Sequence, residues 1–108
     1  MDAQSRIAQL NDADRTGRAD CRLMLTSGVT ALGEAAVKAI LKKVVTFSEF
    51  NESNDPYGEH DFGKVQYASK AVFWKFEYYG LDMNHGSDDP ADHHKTARVL
   101  TIVLADEY

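Results

Sequence analysis

The run AVFWKFEYYG, residues 71–80, constrains the fold more than any other stretch of the chain. Val72, Trp74, Phe76 and Tyr78 fall on one side of a two-residue period, and Phe73, Lys75, Glu77 and Tyr79 on the other. Such alternation sets one face against a core and leaves the other toward solvent, which is the pattern of a β-strand in a sheet covered on one side. A second β-rich run, FGKVQY, precedes it across Ala68-Ser69-Lys70, so the two form an antiparallel hairpin. Trp74, Tyr78 and Tyr79 could also make a stacking platform for bases. Platforms of that kind sit in basic grooves, whereas this strand is flanked by the most acidic part of the chain, so the reading is core packing. Phe73 and Tyr79, on the far side, are the aromatic groups left for a partner.

A sheet covered on one face requires helices to cover it. SRIAQLNDADR places Ile7 and Leu10 at helical spacing, with an end before Gly17. DCRLMLT alternates, with Cys21, Leu23 and Leu25 on one side and Arg22, Met24 and Thr26 on the other, and Ser27-Gly28 stops it as a strand. From Gly33 to about Val45, the residues Val37, Ile40, Leu41 and Val44 recur at i, i+3, i+4 and i+7 while Lys38, Lys42 and Lys43 face water. In SDDPAD, Asp89 can cap a helix with Pro90 at its first position, and that helix is expected to run to the C-terminus with Val99, Leu100, Ile102, Val103 and Leu104 as its apolar stripe. The expected fold is a single α+β domain over residues 1–108, in the order α-β-α-β-β-α. Its three-stranded, mainly antiparallel sheet carries the helices on one face as a two-layer structure.

At 108 residues and 44% hydrophobic content the chain can bury a core unaided. Its one cysteine, Cys21, excludes an intrachain disulfide and reads as a small core residue rather than a nucleophile. MDAQSRIAQL has no apolar run of the kind a secretory leader needs, and no stretch approaches a membrane span, so a cytoplasmic protein is expected. The net charge of −5 is regional. Residues 1–48 carry +2, residues 49–94 carry −7 and residues 95–108 are neutral. A surface of that sign repels nucleic-acid phosphates and attracts basic proteins.

The acidity centres on NESNDPYGEHDFG, residues 51–63. Asn54-Asp55-Pro56 and Tyr57-Gly58 are turn formers. His60 beside Asp61, with Glu59 and Asp55 near, supplies an imidazole and carboxylates for acid–base work or for a hard cation. The spacing matches neither a zinc-protease helix nor a calcium loop, and no phosphate-cradling glycine loop or serine elbow occurs elsewhere. No cofactor is implied. His93 and His94 read as part of a polar helix face, where Asp89 and His93 could meet at i, i+4.

NDPYGEHDFG, VFWKFEYYG, and DDPAD followed by TARVLTIVLADEY, together with LTSGVTALG, resemble the domain-of-unknown-function family 3768. The resemblance runs from about Ile7 to Tyr108. Asn54, Asp55, Pro56, Glu59, His60, Asp61, Phe62 and Gly63 match its NDP and EHDFG elements, and Phe73, Trp74, Lys75, Tyr78 and Tyr79 match its FWK and YY elements. The resemblance implies a small bacterial protein of the kind often encoded on plasmids and other mobile elements, and it brings no catalytic residue with it. The function expected on this basis is non-enzymatic. Glu49, Glu52, Asp55, Glu59, Asp61, Asp88 and Asp89 would engage a basic protein surface, such as that of a nucleic-acid-processing complex, in the manner of an anti-restriction or anti-CRISPR inhibitor, with no direct contact to nucleic acid or membrane. The alternative is a small metal-dependent or acid–base hydrolase centred on His60 and Asp61, joined by Glu59 and His85. The apolar stripe of the last segment, Leu100 and Leu104 included, leaves room for a homodimer.

Overall fold

The structure is a computed structural model that describes residues 1–17 and 21–108; Asp20, at the head of the first expected strand, lies outside the described residues. Helix α1 spans Ala3–Arg15, strand β1 Arg22–Leu25, the short helix α2 Ser27–Thr30 and helix α3 Glu34–Thr46. Strands β2 (Phe62–Tyr67), β3 (Lys70–Gly80) and β4 (Thr96–Leu104) follow, and a 3-10 turn closes the chain at Ala105–Glu107. The four strands form one mixed sheet in the order β1-β4-β3-β2. β1 runs parallel to β4, and the other two pairings are antiparallel.

The α+β class holds, and the sheet has four strands rather than three. The correction is in the last segment, which is the central strand β4 and not a helix. Asp89 does start a turn, since its carboxylate accepts the Ala91 N–H (3.3 Å) and its carbonyl the Asp92 N–H (3.0 Å). That cap chemistry nucleates one turn and goes no further, because Thr96, Val99, Thr101, Ile102 and Val103 are β-branched and suit a pleated surface. A central strand buried on both faces reads as a continuous apolar run, and a continuous run has no period by which to tell it from a helix. Two expectations go with the helix. His93 and His94 sit exposed in a turn with their rings 4.0 Å apart, so Asp89 and His93 are not an i, i+4 helical pair. Leu100 and Leu104 are buried in the domain's own core, which removes the apolar excess that argued for a dimer face.

That core joins Val72, Trp74 and Phe76 of β3 and Leu100, Ile102 and Leu104 of β4 to Val29, Ile40 and Val44 of the helices. The α3 stripe and the β3 core face therefore stand where their periods put them, and Val37 and Leu41 pack at the edge. The hairpin turns over Ala68-Ser69, with Tyr67 paired to Lys70. β1 is an edge strand, so Leu23 remains half-exposed, although it lies on the helix-covered side opposite Leu100. The chain then folds back on α2. The Glu107 carboxylate accepts from Thr26 Oγ1 (2.6 Å), the Gly28 N–H (3.0 Å) and the Leu104 N–H (2.9 Å). No helix among the described residues is long and apolar enough to cross a membrane.

Candidate acid–base site

The loop between α3 and β2 begins as pure turn chemistry. Asn51 Oδ1 accepts the N–H groups of Ser53 (2.8 Å) and Asn54 (3.1 Å), and Asn54 returns the bond to the Asn51 N–H (2.9 Å). Asp55 is different. It is buried, and its Oδ1 accepts the His60 N–H at 3.1 Å, which folds the loop back on itself and holds His60 at φ 54°. A non-glycine residue in this left-handed region is strained by about 1 kcal/mol or more, and such strain collects at functional sites.

The His60 ring is held from two directions, by Asp12 and by Phe50, with Asp55 as a third neighbour. Nδ1 lies 3.0 and 3.1 Å from the two carboxylate oxygens of Asp12 on α1. The ring stacks on Phe50, with centroids 3.9 Å apart and planes 1° from parallel. Nε2 is 3.7 Å from Asp55 Oδ2, beyond hydrogen-bond reach. Asp12 is itself held by Arg15, whose NH2 donates to Asp12 Oδ1 at 3.1 Å. The NH1 of the same guanidinium donates to the carbonyls of Val44 (2.7 Å) and Phe47 (2.9 Å) at the end of α3. One buried arginine thus satisfies the open carbonyls of a helix terminus and aims the carboxylate that meets His60.

A second layer lies beside it. Asn11, fully buried, donates through Nδ2 to the Glu59 carbonyl (3.1 Å) and the Tyr78 hydroxyl (2.8 Å). Its Oδ1 accepts from Arg98 Nε at 3.0 Å. Arg98 also donates to the Pro90 carbonyl and lies over the Tyr78 ring at 5.3 Å. The Glu59 carboxylate stands 3.5 Å from the Tyr78 hydroxyl. Burial, and the charge of Asp61, push the Glu59 carboxyl above its ordinary value; burial, and the charge of Asp55, do the same to Asp61. Burial also pushes the Tyr78 phenol well up, so it stays protonated as a donor.

A carboxyl whose folded value is raised favours the native state in its neutral form. That contribution is complete below the unfolded values, at about pH 4, and is lost as the pH rises through the folded values. Glu59→Gln and Asp61→Asn should therefore raise Tm at pH 7, with the gain vanishing toward about pH 4. Thermal melts across that range check it, and an equal gain at both ends would show that charge is not the cause.

The loop's residues are thus brought together with partners on α1, β3 and β4. Of the other carboxylates expected to act with them, Glu49, Glu52 and Asp88 are exposed, whereas Asp89 is half-buried and used in its turn. His85 belongs to the β3–β4 connection, 3.4 Å from Asp82, in a depression of about 410 Å³ that Asp88 and His94 also line. Among the described residues no three His, Cys, Asp or Glu side chains converge as a metal-ligand set. No motif in the sequence singles out Asn11, Asp12, Arg15, Phe50 or Arg98, which the fold adds to the site. The available signal was the series Ile7, Asn11, Arg15, which continues the buried face of α1 at four-residue steps with polar groups.

Fold and site together define a small α+β protein, helices on one side of a four-stranded mixed sheet, with a carboxylate-oriented histidine where α1 meets the loop. The chain belongs to the DUF3768 family, described as proteins of unknown function, whose profile matches residues 25–107. That span contains Glu59, His60, Asp61, Tyr78 and Arg98 and leaves out Asn11, Asp12 and Arg15. Among curated proteins and among solved structures, nothing matches the chain.

Proposed function

We propose that the protein is a small acid–base enzyme of the hydrolase type, with His60 as the proton-transferring group, Asp12 as the residue that orients it and Glu59 as a second proton carrier. The observation that carries this reading is the 3.0 Å contact between His60 Nδ1 and Asp12, residues 48 positions apart, on a ring that is still partly exposed. A general base needs one nitrogen held by a carboxylate and the other left for the reacting proton. Nε2 is the nitrogen left. No serine, threonine or cysteine side chain bonds the ring among the described residues, so a water molecule is the group His60 would activate. Burial raises the Glu59 carboxyl, the direction a proton-donating acid requires.

The test is a panel of chromogenic carboxylic esters, phosphate esters and glycosides. One class should be turned over, and His60→Ala should lower kcat/KM by roughly 10²–10⁴-fold with the circular dichroism unchanged. Turnover of no class, or full activity in His60→Ala, would contradict the reading.

A second reading is a binding protein that presses its acidic region against a basic, nucleic-acid-processing protein as an inhibitor of host defence. What favours it is that Glu59 and Asp61 repel one another and Asp55, a repulsion that a docking lysine or arginine would relieve. Asp55 is buried, so the informative variant reverses the exposed Glu49, Glu52 and Asp88 to lysine. A partner captured equally well by that variant, with the same salt dependence, would sink this reading.

A further inference from the structure

The helical residues of the core, Val29, Ile40 and Val44, join one side of the sheet, and the other side has a site of its own. Strand register places Met24 of β1, Thr101 and Val103 of β4, and Phe73, Lys75 and Glu77 of β3 together on that far side. There Met24, Lys75, Glu77, Thr101, Val103 and Tyr108 line a depression of about 450 Å³, within the range of small-molecule sites. Thr101 is 6% exposed, yet its Oγ1 has no hydrogen-bond partner among the described residues. A buried hydroxyl without a partner is uncommon and costs on the order of 1–3 kcal/mol.

The charges around the depression are already engaged. Lys75 Nζ lies 3.6 Å from Glu77 Oε1 and 5.1 Å from the centre of the Tyr108 ring. Glu77 accepts from the Tyr79 hydroxyl at 3.0 Å, and Glu107, also on the lining, spends its carboxylate on Thr26, Gly28 and Leu104. Among the described residues, the charged side chains on the lining, Lys75, Glu77 and Glu107, all have partners already, so the lining favours an uncharged ligand. What the lining offers is an aromatic ring at Tyr108, a thioether at Met24, the Val103 methyls and, beneath that surface and reached only when the lining moves, the buried Thr101 hydroxyl.

We propose that this depression binds a small uncharged aromatic molecule carrying an amide or hydroxyl group, its ring against Met24, Val103 and Tyr108 and its polar group on Thr101. Met24, unbranched and more than half exposed, is the rim residue that shifts to admit it. The site is independent of the His60 cluster, and its failure would leave that cluster untouched.

Benzamide is the probe, followed in methyl-resolved NMR at Met24, Thr101 and Val103. Binding at a Kd on the order of 1 mM is expected from about nine heavy atoms. Thr101→Val should weaken it by roughly three- to tenfold, while Thr101→Ser, which keeps the hydroxyl, should hold it within about twofold. Unperturbed methyls at these three residues up to about 20 mM probe, or equal affinity in Thr101→Val, would overturn the proposal.

Discussion

Trp74→Ala should destabilise the domain by about 3–5 kcal/mol, read as a lower midpoint in urea with little change in slope. Trp74 is fully buried and central to the sheet, and its ring meets Phe47 (5.4 Å), Phe50 (6.1 Å) and Phe76 (6.1 Å) edge to face. Against a total of about 5–15 kcal/mol for an ordinary domain, the loss leaves a marginal native state. Two companion variants separate causes. Gly63 lies directly under the indole, and a Cβ there would fall 2.4 Å from Nε1, so Gly63→Ala should also destabilise strongly. Nε1 has no hydrogen-bond partner among the described residues, so Trp74→Phe discards no bond and should cost far less than the alanine change. A loss below about 1 kcal/mol for Trp74→Ala would mean that the core is elsewhere.

Arg15→Ala should cost about 3 kcal/mol and disturb His60 as well. The change leaves the Phe47 carbonyl without its donor, leaves the Val44 carbonyl only the Phe47 N–H at 3.3 Å, and removes the partner that aims Asp12. It also removes a cation lying 5.1 Å over the Trp74 ring. Arg15→Lys separates charge from geometry, because an ammonium cannot span the α3 carbonyls and Asp12 with a planar fork. Lysine should recover only a minor share of the loss in denaturant titrations. Full recovery would reduce Arg15 to a point charge.

What the sequence disclosed followed the ranges of the forces involved. α3 was legible because Val37, Ile40, Leu41 and Val44 repeat at the helical period with lysines opposite, and β3 because its apolar residues alternate. Local patterns of that kind survive in the fold. β4 was misread because burial on both faces erases alternation, while Asp89-Pro90 supplied a genuine turn signal that tertiary pairing with β1 and β3 outweighed. His60 could be singled out by residue type and by its turn-rich loop. Its orienting carboxylate could not, because Asp12 lies 48 residues away, on a helix whose contribution is set by packing. The carboxylates counted together by charge proved to be in different situations: Asp55 is buried and bonded to the backbone, Glu59 and Asp61 are partly desolvated, and Glu49, Glu52 and Asp88 are in water. Net charge sees none of these differences.

The most direct test of the account is the tautomer of His60, read from long-range ¹H–¹⁵N correlations of its ring in the unmodified protein and in Asp12→Asn. Asp12 is predicted to hold the proton on Nδ1 of the neutral imidazole and leave Nε2 as the open base, and Asp12→Asn to release that preference. A neutral ring protonated at Nε2, or spectra identical in the two proteins, would contradict it.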